Sequence, residues 1–310
     1  MKVCNKFTLV SICSIVIIPI VVYHQAYEIS IRVPASSTSV IVNSPPVIRT
    51  AAESLYSMYG EGNYTDIDEQ VLSYIRSMMS KQGPGGHRLA DASRIHYSQL
   101  GGSQFVDKLL QRRRNGFFVE CGAFRGENLS DTLFFELHRN WTGILIEAHP
   151  EYHREILRKN RRALVLRACL SSTRRPGSVL FKLLGWGSGV SAFNKNVGIA
   201  DKTASETHVQ CFSLNSIMAA IGVRHIDFMV LDVEGSELPV LESIDWTRLS
   251  VDVFSIEYSE HIGNRVKKLK KIRKFFNETG KKVGFRYKQV GVLPLTRKEN
   301  SAQDAIFMRV

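Results

Sequence analysis

From residue 116 onward, short apolar runs alternate with stretches whose apolar side chains recur every three or four positions. The short runs cover 117–121, 143–147, 163–168, 226–231, 251–258, 281–288 and 305–309. They are almost continuously apolar, as strands covered on both faces must be. The helically spaced stretches cover 128–137, 152–160, 214–220, 238–244 and 266–278, and two more precede them, around 71–79 and 103–113. Strands interleaved with helices predict an α/β fold, a doubly wound Rossmann-like sheet. Residues 172–200 interrupt the rhythm and read as an insertion over the strand ends. At the other end of the chain, residues 7–27 hold no Asp, Glu, Lys or Arg. At about 1.5 Å per helical residue that stretch spans a bilayer core.

The pattern therefore divides the chain into a cytosolic N-terminus (1–6), a transmembrane signal anchor (7–27), a polar, proline-containing stem (28–65) and a folded domain (66–310). Lys2 and Lys6 precede the apolar run, so the positive-inside rule places the domain on the luminal or extracellular side, a type II topology. A cleaved signal peptide, cut after Ala35, is the alternative.

Doubly wound sheets bind ligands beyond the carboxyl ends of their strands. The first such end reads Glu120-Cys121-Gly122-Ala123-Phe124-Arg125-Gly126-Glu127. Gly122 allows close backbone approach and Gly126 allows tight helix packing. The second ends in Glu147, placed to accept hydrogen bonds from both hydroxyls of a ribose. The third ends at Cys169-Leu170-Ser171, where a nucleoside base would lie. The fourth ends in Asp232-Val233-Glu234-Gly235-Ser236-Glu237, whose acids call for a cation, a metal or a polar ligand. Without a full dinucleotide fingerprint, this set suits S-adenosylmethionine. Glu120 would meet its amino group and Asp232 would sit near the sulfonium. Asp232, Glu234, Glu257 and His261 are candidate bases. A divalent metal on Asp232, Glu234 and Glu257 is the lesser reading.

The runs Phe118 to Glu127, Gly143 to Glu147 and Ile226 to Glu237 resemble the FkbM-type methyltransferase domain. The runs Phe117 to Glu136 and Gln303 to Phe307 are similar to the Star-like proteins of animals, single-pass membrane proteins with such a domain on the luminal side. The resemblance implies a class I S-adenosylmethionine-dependent methyltransferase fold. It also implies a part in vesicle-mediated transport of membrane-tethered cargo through the endoplasmic reticulum, Golgi and endosomes, and at the plasma membrane. Where FkbM-type domains often carry a lysine before the fourth-strand acid, this chain has Met229, Val230 and Leu231.

Composition changes the picture in three places. Cys121, Cys169 and Cys211 follow the anchor; Cys169 and Cys211 flank the insertion and could pair, or all three could be buried as small apolar residues. Four Asn-X-Ser/Thr sequons, at Asn63, Asn128, Asn140 and Asn277, fit a luminal domain. The net charge of +12 gathers largely between Asn264 and Glu299, where thirteen Lys or Arg face two Glu. That reads either as a solvated helix face or as a patch for anionic headgroups, sulfated glycans or acidic protein; nucleic acid is not an expected partner beyond a membrane. Two function classes stay open: a membrane protein that binds cargo in the secretory route, and an active O- or N-methyltransferase.

Overall fold

The computed structural model describes residues 64–183, 189–190, 205–258, 265–284, 286–294 and 303–310. The expected anchor, nearly all of the stem and His261 lie outside them. No helix among the described residues is long and apolar enough to cross a membrane.

The elements, in chain order, are α1 (Glu69–Met78), β1 (Met79–Ser80), α2 (Gly102–Leu109), β2 (Phe117–Cys121), α3 (Leu133–His138), β3 (Thr142–Ile146), α4 (Pro150–Lys159) and β4 (Leu164–Leu166). They continue with β5 (Cys169–Leu170), β6 (Gly177–Leu183), β7 (Gly189–Val190), β8 (Ser205–Phe212), α5 (Leu214–Ala220), β9 (His225–Leu231), α6 (Glu237–Ser243), β10 (Ser250–Glu257), α7 (Arg265–Val283), β11 (Tyr287–Leu293) and β12 (Asp304–Arg309).

Eight strands form the main sheet in the order β1-β4-β3-β2-β9-β10-β12-β11. The five from β4 to β10 are parallel, and β12 enters antiparallel between β10 and β11. The apolar runs explain the layers. Val119, Cys121, Ile144 and Ile146 point into one core with α1, α5, α6 and α7. Phe118 and Leu145, at alternate positions, point into the other with α2, α3 and α4. Register then aligns the strand ends: Cys121 pairs with both Ile146 and Leu231, and Leu231 with Ile256. The next residues on these four strands, Gly122, Glu147, Asp232 and Glu257, emerge at one level.

Two expected boundaries need correction, and the interruption expected after β5 holds strands: β5, β8, β6 and β7 form a separate four-stranded sheet. Within it Cys169 and Cys211 are register partners joined by a disulfide, their Cα atoms 4.4 Å apart. The helix expected from 128 begins at Leu133, because side-chain hydrogen bonds to Glu120 hold residues 130–132 in a turn. The strand expected over 281–288 begins only at Tyr287. The apolar spacing Leu269, Ile272, Phe276 continues to Val283, so α7 runs that far.

Candidate functional site

The aligned strand ends open into a cleft of about 300 Å³. Gly122 makes the junction of β2 and β9 tight. Its φ is +76°, and a Cβ there would lie 2.0 Å from the carbonyl oxygen of Asp232. Glycine is required here by a neighbouring strand, a closer constraint than approach to a ligand. Gly126, with φ +73°, packs on Ile156 of α4, where a Cβ would sit 3.0 Å from the isoleucine side chain. It stands outside the cleft lining.

Glu147 stands just past β3 and is almost fully buried. One oxygen accepts the Phe124 N–H at 2.8 Å and the other the His149 N–H at 2.7 Å. Burial pushes its carboxyl up to about 7, against the pull of these backbone donors. The Ala148 N–H bonds here as well; of the about four lone-pair sites of a carboxylate, one remains for a ligand. Glu120 is engaged as fully. It accepts from the hydroxyls of Ser130 and Thr132, at 2.8 and 2.6 Å, and from the Asp131 N–H at 2.9 Å. Arg161, wholly buried, ties the same turn from behind. It donates to the Gly126 carbonyl, to both hydroxyls and, at 2.9 Å, to Glu136.

Asp232 and Glu234 face the cleft, Glu234 in a left-handed backbone conformation (φ 51°). Burial, then the nearby Glu257, Glu234 and Asp304, hold the Asp232 carboxyl well above the usual range. Behind them Glu237 forms a buried ion pair with Lys268 at 2.8 Å. Ser171 is turned elsewhere. Its hydroxyl donates to the Arg175 carbonyl at 3.0 Å and accepts the Thr173 N–H at 3.1 Å, while Cys169 and Leu170 line the cleft before it.

Several lining residues escaped sequence reading. Asp131 and Asp304 are among them, although both stand inside the runs that carry the Star-like likeness. Burial raises Asp131 to about 7 and Asp304 well above the usual range. Phe124 and Tyr152 form an aromatic wall, edge to face at 4.5 Å, with the Arg125 guanidinium 5.1 Å from the Phe124 ring. Ser236, Ser255 and the exposed Asn128, whose side chain accepts from Arg94 at 3.2 Å, line the cleft as well. A second acidic group, Asp227 and Asp252 with His225, lies at the opposite end of β9 and β10, where Arg113 bridges both carboxylates.

Among the described residues lining the cleft are seven carboxylates, from Glu120, Asp131, Glu147, Asp232, Glu234, Glu257 and Asp304, and no Lys, Arg or His. Such a cleft repels phosphates and favours cationic or hydroxyl-rich ligands.

The methyltransferase FkbM domain model matches residues 120–287. A search among curated proteins gives no match. Among solved structures, a methyltransferase FkbM from Methylobacillus flagellatus KT is similar at 14% identity and a TM-score of 0.41, over 68% of this chain and 48% of that one. The chain thus spans about half the length of that relative. An O-methyltransferase from Bacillus cereus, in complex with SAH, is similar at 10% identity and a TM-score of 0.36, over 78% of this chain and 91% of that one. A 1,6-didemethyltoxoflavin-N1-methyltransferase from Burkholderia thailandensis, with S-adenosylhomocysteine bound, is similar at 12% identity and a TM-score of 0.33, over 67% and 75%. The family match spans more than half of the chain and contains Glu120, Glu147 and Asp232, and this chain belongs to the methyltransferase FkbM domain family.

Proposed function

We propose that the cleft binds S-adenosylmethionine and serves methyl transfer. The carrying observation is the seven carboxylates with no cationic side chain among the described lining residues. S-adenosylmethionine brings a sulfonium and an ammonium against one carboxylate, a net positive charge, and no phosphate, so it suits this lining where a dinucleotide does not. In this reading a ribose hydroxyl donates to the remaining lone pair of Glu147. The base lies toward Phe124 and Tyr152, beside Cys169 and Leu170. The ammonium reaches the remaining site on Glu120, and the sulfonium methyl faces Asp232. Asp232 and Glu234 are the proposed bases, and His261 stays a candidate. The cofactor supplies the methyl group and its leaving thioether; the protein orients the acceptor in line and takes its proton. Gly122 and Gly126 act on cofactor binding through the shape of the turn.

Calorimetry of the full-length protein tests this reading. S-adenosylmethionine is expected to release heat, Glu147→Ala to weaken binding at least about tenfold, and NADH to show none. No heat with S-adenosylmethionine would sink the reading.

A second proposal concerns place. The Cys169–Cys211 disulfide suits an oxidising compartment. It supports a luminal domain on a type II single-pass anchor, acting, as the Star-like resemblance implies, in transport of membrane-tethered cargo through the endoplasmic reticulum, Golgi and endosomes. Endoglycosidase digestion of the chain expressed in cells tests this; a mass unchanged by the enzyme contradicts it.

A further inference from the structure

The cofactor reading leaves one end of the cleft without a ligand. There the register gathers three carboxylates. Asp232 follows Leu231 and Glu257 follows Ile256, which are partners across β9 and β10; Asp304 is the partner of Glu257 across β12. Two hydroxyls line the same cleft. Ser255, on β10, is 1% exposed, and Ser236, before α6, is 3% exposed. Neither Oγ has a hydrogen-bond partner in the protein. Buried polar groups in proteins are nearly always hydrogen-bonded, so this pair marks polar capacity directed at a ligand.

The chemistry of that ligand follows by comparing classes. An acid or a phosphate would be repelled by Asp232, Glu257 and Asp304. A neutral hydroxyl compound would satisfy the serine oxygens but supply no cation to three clustered acids. A divalent ion would compensate it, but the carboxylates close enough to share one are Asp232, Glu257 and Glu237, within 4.8 Å of one another. Glu237 already holds the Lys268 ammonium, and its other oxygen accepts the backbone N–H groups of Val233 and Gly235. An amine meets every condition: its N–H groups donate to the carboxylates and to the two serine oxygens.

Resting on the S-adenosylmethionine reading, we propose that the methyl acceptor is a primary amine, held by Asp232, Glu257 and Asp304 with Ser255 and Ser236. The amine enters as an ammonium ion and gives one proton to the Asp232 carboxylate. The freed nitrogen lone pair attacks the sulfonium methyl carbon; the N–C bond forms as the C–S bond breaks, and that electron pair stays on sulfur. The products are S-adenosylhomocysteine and an N-methylammonium ion, which Glu257 and Asp304 retain until Asp232 returns its proton to solvent. The raised proton affinity of Asp232 fits this part.

The test titrates spermidine, methyl glucoside and magnesium chloride separately into full-length protein saturated with S-adenosylhomocysteine. Spermidine is expected to bind. Asp304→Asn is expected to weaken it about tenfold while leaving S-adenosylhomocysteine affinity within about twofold. Ser255→Ala, a smaller change, is expected to weaken it about threefold and serves if Asp304→Asn does not fold. Preference for methyl glucoside, magnesium binding lost in Asp304→Asn, no spermidine heat, or spermidine binding unchanged in these variants would each overturn the proposal. Failure of S-adenosylhomocysteine itself to bind would overturn the cofactor reading, and the amine proposal with it, and the first titration separates that case.

Discussion

Two buried carboxyls, Glu136 and Glu147, respond to pH in opposite directions. Burial alone would raise Glu136, but the Arg161 guanidinium, His87 and the Arg162 N–H hold it down to about 2. Its folded value lies below the ordinary 4.5. The stability it contributes is therefore complete above that value and lost as pH falls toward about 2. Glu136→Gln leaves the buried Arg161 without its charge partner. It is expected to cost about 3–5 kcal/mol at pH 7 and to flatten the acid limb, read from urea midpoints at pH 3, 5 and 7. Glu147 is raised to about 7. Its neutral form is the one the fold favours, so its contribution fades as pH climbs from about 4.5 to 7. Donors on a ribose favour the ionised form. S-adenosylmethionine affinity is thus expected to strengthen as pH rises through about 7, and Glu147→Gln to remove much of that dependence in calorimetry at pH 6 and 8. Glu147 and Asp232 could be picked out from sequence because each interrupts an apolar run at its end. Asp304 and Asp131 could not. Asp304 reaches the cleft only through antiparallel pairing with β10, and Asp131 only through the turn that Glu120 anchors.

Among the elements, the parallel core was legible because strands buried on both faces leave long apolar runs. The small sheet was not. β6 and β8 bury Phe181, Val209, Cys211 and Phe212 and leave their other positions at least partly exposed, so their alternation is faint. What fixes them is pairing across a gap in sequence, sealed by the Cys169–Cys211 bond over a separation of 42 residues. Loop-closure entropy assigns such a link about 4 kcal/mol. The double variant Cys169→Ala, Cys211→Ala is expected to lose about that much, measured by denaturant unfolding of the oxidised protein. Because Phe181 of β6 also lines the cleft, the same variant is expected to bind S-adenosylmethionine more weakly. The borders of α3 and α7 were misplaced for local reasons. Side-chain hydrogen bonds delay the first, and Lys281 and Lys282 extend the second on a face that stays exposed while Phe276 packs below.

At the scale of the whole molecule, the charge of +12 resolves into two regions. Lys267, Lys270, Lys271 and Lys274 stand exposed on α7, opposite the buried row Leu269, Ile272 and Phe276, while the cleft gathers the acids. The basic face follows from helical spacing alone. The acidic one needed the sheet to bring together residues almost two hundred positions apart. The same folding step bears on the sequon at Asn128. Asn128 stands on the cleft rim, but Ser130, the hydroxyl that completes the sequon, is 3% exposed with its proton committed to Glu120. Once the turn closes, that hydroxyl is hidden from any enzyme that must read it. In the luminal placement proposed above, sugar addition at Asn128 would be a race against closure of the turn. Loosening it with Glu120→Gln is expected to raise occupancy at that site, read by glycopeptide mass, with Asn277 on exposed α7 as the reference. A chain whose turn closed first would keep an open rim, and one that received the sugar first would carry a bulky polymer across its own entrance.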